Sequence, residues 1–214
     1  MVKIQRKITP YNYTELKNKR NMWIVIHYVG AESTAKANAN YFYKAKRGAS
    51  ANYFVDDNEI WQVVDDENGA WHVGGALKYY NSCRNNNSIG IEMCCKRNAK
   101  GEWYIEDKTV ENTIELTRYL MAKWNVPIIR VCRHFDVTGK RCPEPWVKDE
   151  SLWDDFIERV KEKPMEKELT IQEKCNVIKE YYGFDDNTCL YFQFYRYNTA
   201  LIDKLYDKAK NGLK

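Results

Sequence analysis

Histidine is scarce in this chain of 214 residues, with three copies, and proline has only five. Charge of one sign is also lacking, since 34 basic residues face 30 acidic ones for a net of +4. No basic block or stripe stands out, so a nucleic-acid partner is not expected. The small excess suits only mild attraction to a polyanionic surface. No apolar run approaches the ~18 residues of a membrane span, which argues against membrane insertion. Internal repeats and low-complexity tracts are missing. The start, Met1-Val2-Lys3-Ile4-Gln5-Arg6-Lys7, has no apolar run behind its charges, so no signal peptide is expected. The seven cysteines, Cys83, Cys94, Cys95, Cys132, Cys142, Cys175 and Cys189, are odd in number and irregular in spacing. They do not form a disulfide framework. The expectation is synthesis in a reducing cytoplasm with most thiols free.

What is present is a foldable core. Hydrophobic residues make up 44% and aromatics 14%, with 16 Tyr and 7 Trp. Aromatics at this level line carbohydrate or peptide grooves, and equally fill cores and half-buried sheets. Residues 23–28 read as a buried strand, an apolar run bounded by polar residues. Residues 35–46 read as a short helix, and 52–55 with 59–64 as a hairpin. Residues 88–94 read as a strand, 107–124 as an amphipathic helix with Val110, Ile114, Leu120, Met121 and Trp124 inward, and 126–132 as a further strand. Residues 152–161 read as a closing helix. Strands alternating with helices imply an α/β fold, a mixed central sheet flanked by helices.

The charged, proline-broken stretch 161–168 reads as a linker, dividing the chain into a front domain, 1–163, and a small all-α module, 164–214. In the module, Thr170 with Glu173 spells a capping box for a helix through Tyr182, and Gly183 a stop. A second helical stretch covers 187–210. The module holds 8 acidic and 8 basic residues, so the net charge lies in the front domain. Tyr181, Tyr182, Phe184, Tyr191, Phe192, Phe194, Tyr195 and Tyr197 crowd it. A unit this small is marginal alone, and its aromatics suit either wall binding or pairing of copies into a homo-oligomer.

Two of the three histidines carry the chemistry. His27 closes the apolar run Met22-Trp23-Ile24-Val25-Ile26-His27-Tyr28. His134 and Cys142 lie in Arg133-His134-Phe135-Asp136-Val137-Thr138-Gly139-Lys140-Arg141-Cys142-Pro143. Two imidazoles and a thiolate can hold Zn2+ and leave its fourth position for water, the arrangement of a hydrolase. Each residue alone also has an ordinary reading, a hydrogen-bonded histidine or an inert buried cysteine.

The surrounding words tip the balance. Four stretches in order resemble the zinc-dependent N-acetylmuramoyl-L-alanine amidases of the type-2 amidase family: the strand ending Ile26-His27, the hairpin Ala49–Asp56, the strand Ser88-Ile89-Gly90-Ile91-Glu92, and the loop His134–Pro143. The likeness covers residues 20–160, and the last loop is its most specific part.

That resemblance implies a peptidoglycan hydrolase that cuts the amide between N-acetylmuramic acid and L-alanine. Its zinc ligands would be His27, His134 and Cys142. Glu92 would be the general base, and Lys140 would stabilise the oxyanion. His72, in Ala70-Trp71-His72-Val73-Gly74, would line the substrate groove with Trp71, Tyr53 and Asn52. Asn52 stands where many relatives carry histidine. The remaining cysteines are expected to be packing. A phage or prophage endolysin or autolysin, released through a holin to act on the cell wall, fits best. A cytosolic muropeptide-recycling amidase and a non-catalytic peptidoglycan receptor are the alternatives. Receptors of this family typically lose the cysteine ligand, which is present here.

Overall fold

A computed structural model describes residues 3–76, 82–162, 170–194 and 198–212. The chain divides into two units, Met1–Lys163 and Pro164–Lys214. The strands are β1 (Ile4–Arg6), β2 (Tyr13–Thr14), β3 (Trp23–Glu32), β4 (Tyr53–Val55), β5 (Ile60–Gln62), β6 (Gly69–Ala70), β7 (Ser88–Arg97), β8 (Trp103–Tyr104) and β9 (Val131–Arg133). The helices of the first unit are α1 (Ala35–Lys44), α2 (Asp107–Trp124), α3 (His134–Thr138), α4 (Glu144–Lys148) and α5 (Glu150–Lys161). Those of the second are α6 (Ile171–Tyr182), α7 (Asp186–Phe194) and α8 (Asn198–Gly212).

The main sheet runs β1-β5-β4-β7-β3-β9, with β8 added to β7. Its centre is parallel: β7, β3 and β9 pair in one direction, and β4 joins β7 in the same sense. β5 returns antiparallel to β4 as a hairpin. β2 and β6 form a separate antiparallel pair. Strands buried on both faces read as continuous apolar runs, which is why 23–28 and 88–94 are so plain in the sequence.

Alternation along the strands sorts two cores. Ile24 and Ile26 of β3, Ile89, Ile91 and Met93 of β7, Tyr53 and Val55 of β4, and Val131 of β9 turn to one face. There they meet Ile114, Leu116 and Leu120 of α2, Trp146 of α4, and Phe156 and Val160 of α5. Each fully buried isoleucine contributes roughly 2 kcal/mol by leaving water. On the other face Trp23, Val25 and Cys132 pack with Val73, Cys83 and Val137. Further along that face Phe54 and Cys94 pack on Ala35 and Ala39 of α1.

Helix α2 has the bounds its periodicity predicts, stopped by Asn125 in the left-handed region at φ 52°. The expected strand over 126–132 is corrected: a 3-10 turn occupies Ile128–Arg130 and pairing begins only at Val131. Pro127 ahead of the turn supplies no backbone donor for a ladder. The single expected helix over 187–210 is described as two, α7 and α8. In the second unit the capping box of Thr170 and Glu173 opens α6, and Gly183 closes it at φ 69°. Among the described residues Cys175, Ile178 and Ile202 form its buried cluster, with Tyr182, Phe184, Phe192, Leu205 and Tyr206 packed around them. Most of the expected linker, from residue 163 to 168, lies outside the described residues, as do Tyr195 and Tyr197. No described helix is long and apolar enough to cross a membrane.

Asp66 ties the hairpin to α2. Its side chain is 1% exposed and accepts from Tyr53 Oη at 2.8 Å, Gln62 Nε2 at 3.2 Å, Lys123 Nζ at 2.9 Å and Trp124 Nε1 at 3.0 Å. Removing the acceptor strands four donors at once. Asp66→Ala is expected to cost ~3 kcal/mol, with a fall in Tm of about 6–12 °C on thermal unfolding.

Candidate metal centre and active site

The register of the parallel strands builds the site. On β3, Val25 pairs with Gly90 of β7 and Cys132 of β9, and Ile26 pairs with Ile91 and Arg133. The next row places His27 beside Glu92, and Glu92 beside Phe54 of β4. Continuing the β9 alignment one step puts His134 opposite His27. Since side chains repeat every second residue, these side chains share the face that carries Val25 and Cys132. The His27 and His134 ring centroids are 4.7 Å apart, edge to face.

Beyond β9 the chain turns at once into α3. Asp136, at its third position, accepts from the Arg133 backbone N–H at 2.8 Å and from the Arg133 guanidinium at 2.9 Å. Arg133 reaches on to Glu150 at 2.8 Å and to the Trp146 carbonyl at 2.9 Å. Gly139 ends α3 in the left-handed region at φ 78°, which favours glycine. The chain then doubles back, and the Phe135 N–H donates to the Cys142 carbonyl at 3.0 Å. This hairpin-like loop carries Cys142 to the ring of His27, with Sγ 3.7 Å from Nδ1.

One ligand atom each from His27, His134 and Cys142 lies within 4.8 Å of the others, and all three residues are buried. Both ring nitrogens of His134 are buried without a hydrogen-bond partner. A buried imidazole with neither nitrogen satisfied is costly unless a cation takes one. Burial first, and then the ammonium of Lys140, holds the His134 imidazole down at about 4. Burial first, with His72, His134 and Lys140 adding to it, keeps His27 well below the ordinary histidine value. The Cys142 thiol is pushed up by burial and then by the Glu92 carboxylate. The donors are therefore held neutral, the imidazoles ready as ligands and the thiol needing a cation to ionise. Two nitrogens and one sulfur suit Zn2+.

Glu92 stands in the same row. Burial pushes its carboxyl up to about 8, against the pull of Lys140, and its Oε2 is buried without a hydrogen-bond partner. Lys140 is exposed at the tip of the loop, its charge felt by His27, Glu92, His134 and Cys142. Tyr28 and Glu144 are additions that sequence reading did not single out. The Tyr28 hydroxyl donates to Glu144 Oε2 at 3.1 Å, joining β3 to α4 beside Cys142.

The expected groove residues fall elsewhere, and three need correction. Tyr53 is 2% exposed and points into the α2 core, because its register partner is Ile91 and not Glu92. Its hydroxyl is used by Asp66. Asn52 is fully buried and substitutes for a ladder bond, with Oδ1 accepting from the Gly90 N–H at 3.0 Å. His72 is 7% exposed and lies against His27, Nδ1 to Nε2 at 3.0 Å, not on a groove wall. Trp71 remains partly exposed, its Nε1 donating to Thr14 Oγ1 at 2.9 Å. Gly90, between two core isoleucines, was the available signal that something large sits over that strand. The described cysteines are free thiols, and Cys189's side chain lies outside the described residues.

Comparison with known proteins agrees with this geometry. The family model described as N-acetylmuramoyl-L-alanine amidase matches residues 17–145. A probable N-acetylmuramoyl-L-alanine amidase from Bacillus licheniformis is 32% identical over 163 residues, covering 72% of this chain and 45% of the relative. The chain spans about half the length of the curated relatives it matches. The solution structure of the PlyG catalytic domain aligns at TM-score 0.64 and 26% identity, over 78% of this chain and 99% of that one. A mutant endolysin from Bacillus subtilis aligns at TM-score 0.60 and 29% identity, over 75% and 99%.

The neutral imidazoles set an acid limit for the metal-free protein. His27, His72 and His134 have lowered pKa values in the fold, so below pH 6.5 the unfolded chain binds more protons and stability falls with pH. Each contributes a slope of ~1.4 kcal/mol per pH unit between its unfolded and folded values, down to about 4 for His134. Glu92, raised to about 8, has the opposite slope but is one group against three. Chelator-treated protein is expected to lose Tm steadily from pH 6.5 to 4.5. Added Zn2+ is expected to raise Tm at pH 7.5 and to lose that effect across the same acid range.

Proposed function

The chain belongs to the N-acetylmuramoyl-L-alanine amidase family, and we propose that it hydrolyses the amide between the lactyl group of N-acetylmuramic acid and the L-alanine of the peptidoglycan stem. The observation that carries this reading is the convergence of His27, His134 and Cys142, with Glu92 paired beside His27. His27, His134 and Cys142 would hold zinc, which when bound supplies a Lewis acid that polarises an amide carbonyl and acidifies water.

The chain's own residues do the rest. Glu92 Oε2 takes the proton as a water oxygen bonds to the carbonyl carbon. Its raised pKa makes it a usable base near neutrality and a usable acid afterwards. The Lys140 ammonium, at the mouth of the site, offsets the negative charge that develops on the carbonyl oxygen. When the carbon–nitrogen bond breaks, Glu92 returns the proton to the amine of L-alanine, leaving a lactyl carboxylate. Trp71, the one expected groove residue that keeps an exposed surface, is assigned to substrate contact.

The setting we propose is that of an endolysin, released through a holin and acting on the wall. The second unit, Pro164–Lys214, would serve adhesion to the wall or pairing of copies. The full chain is expected to sediment with purified cell walls. Failure to do so, with activity on soluble muropeptides, would favour a cytosolic recycling amidase.

Mass analysis of fragments released from cell walls tests the reaction. Wild type is expected to free stem peptides with an L-alanine amino end and no new reducing sugar ends. Glu92→Ala is expected to lower the rate by ~10²–10⁴-fold, and Lys140→Ala by ~10²-fold. New reducing ends would mean glycan cleavage and refute the amidase.

A further inference from the structure

The two ring nitrogens of His27 face different neighbours. Nδ1 is 3.7 Å from Cys142 Sγ, and Nε2 is 3.0 Å from His72 Nδ1. The far nitrogen of His72, Nε2, is 3.0 Å from Ser88 Oγ, and the Ser88 hydroxyl donates to the Arg84 carbonyl at 2.6 Å. A carbonyl oxygen carries no proton, so the direction of this chain is set at its end. The Ser88 hydroxyl spends its only proton on Arg84, and its oxygen can then only accept. His72 must therefore carry its proton on Nε2. A neutral imidazole has one N–H, so His72 Nδ1 is a bare acceptor. The bond to His27 then requires the His27 proton on Nε2, which leaves the Nδ1 lone pair aimed at Cys142.

We propose that His72 is a positioning residue for the metal centre: with Ser88 and the Arg84 carbonyl it fixes His27 as an Nδ1 ligand. This rests on the zinc reading above. The fold holds the ring in place. Asn85 Oδ1 accepts from the backbone N–H of His72 at 3.1 Å and of Val73 at 2.9 Å. The ring lies on Gly90, where a Cβ would stand 2.6 Å from His72 Cγ and 2.7 Å from Nδ1. The glycine in the β7 apolar run is thus the space that the imidazole occupies. Outer partners of this kind orient a ligating imidazole and set its tautomer.

The test uses the full chain, stripped by chelator and titrated with Zn2+ against a chromogenic competitor. His72→Ala is expected to weaken zinc ~10–100-fold. His72→Asn retains an amide oxygen where Nδ1 stood and is expected to recover most of that loss, which packing alone would not do. In the zinc-loaded wild type, 15N NMR is expected to find both His27 and His72 protonated on Nε2. This measurement decides the matter even where a His72 variant fails to fold. Wild-type zinc affinity in His72→Ala, or a proton on Nδ1 of His72, would overturn the role of His72 while leaving the metal centre intact. A wild-type chain that takes up no zinc would instead remove the metal centre itself.

Discussion

Parallel pairing of β3 with β7 on one side and β9 on the other is the constraint on which the site depends. Those ladders fix which residues stand in one row, and the two-residue period fixes which of them share a face. Together they bring Glu92, His27 and His134 to one level, although the three are far apart in sequence. A slip of one residue in either ladder would turn a ligand into the α2 core and an isoleucine into the cleft. The register is held by the large apolar face behind it, where Ile24, Ile26, Ile89 and Ile91 are fully buried. The core that stabilises the domain is thus also what aligns the ligands.

Burial sets the chemistry of that row. It keeps three imidazoles neutral and the Cys142 thiol protonated, and it lifts Glu92 to about 8. Lys140, on the exposed loop, is the positive charge registered by His27, Glu92, His134 and Cys142, and Lys19 is the one registered by His72. Both nitrogens of His134 are buried without a hydrogen-bond partner, which fits a residue whose side chain would ligate a cation. The bond from the Ser88 hydroxyl to the Arg84 carbonyl sets the direction of the chain through His72.

Much of this was legible in the residues. The period of α2 gave its limits, and the loop His134–Pro143 was the stretch most specific to the family it resembles. The misread positions have specific physical causes. Tyr53 opens a strand of three residues and Asn52 precedes it, where one step exchanges one face of the sheet for the other, and Tyr53 takes the α2 core. Residues 126–130 are apolar enough for a strand, yet Pro127 and the 3-10 turn delay pairing to Val131. His72 belongs to no regular element, and its ring is placed by His27, Ser88 and Gly90, with Asn85 holding its backbone.

The sequence by itself marked the two-unit division, the strands that become central, and the three residues, His27, His134 and Cys142, whose side chains could hold a metal. Apolar runs, turn residues and caps act locally and can be read along the chain. Only the tertiary structure decided that these three residues meet, that Glu92 stands beside His27, and that His72 lies against His27. Those outcomes depend on register across strands and on the volume left over Gly90, and neither is a property of any single stretch of chain.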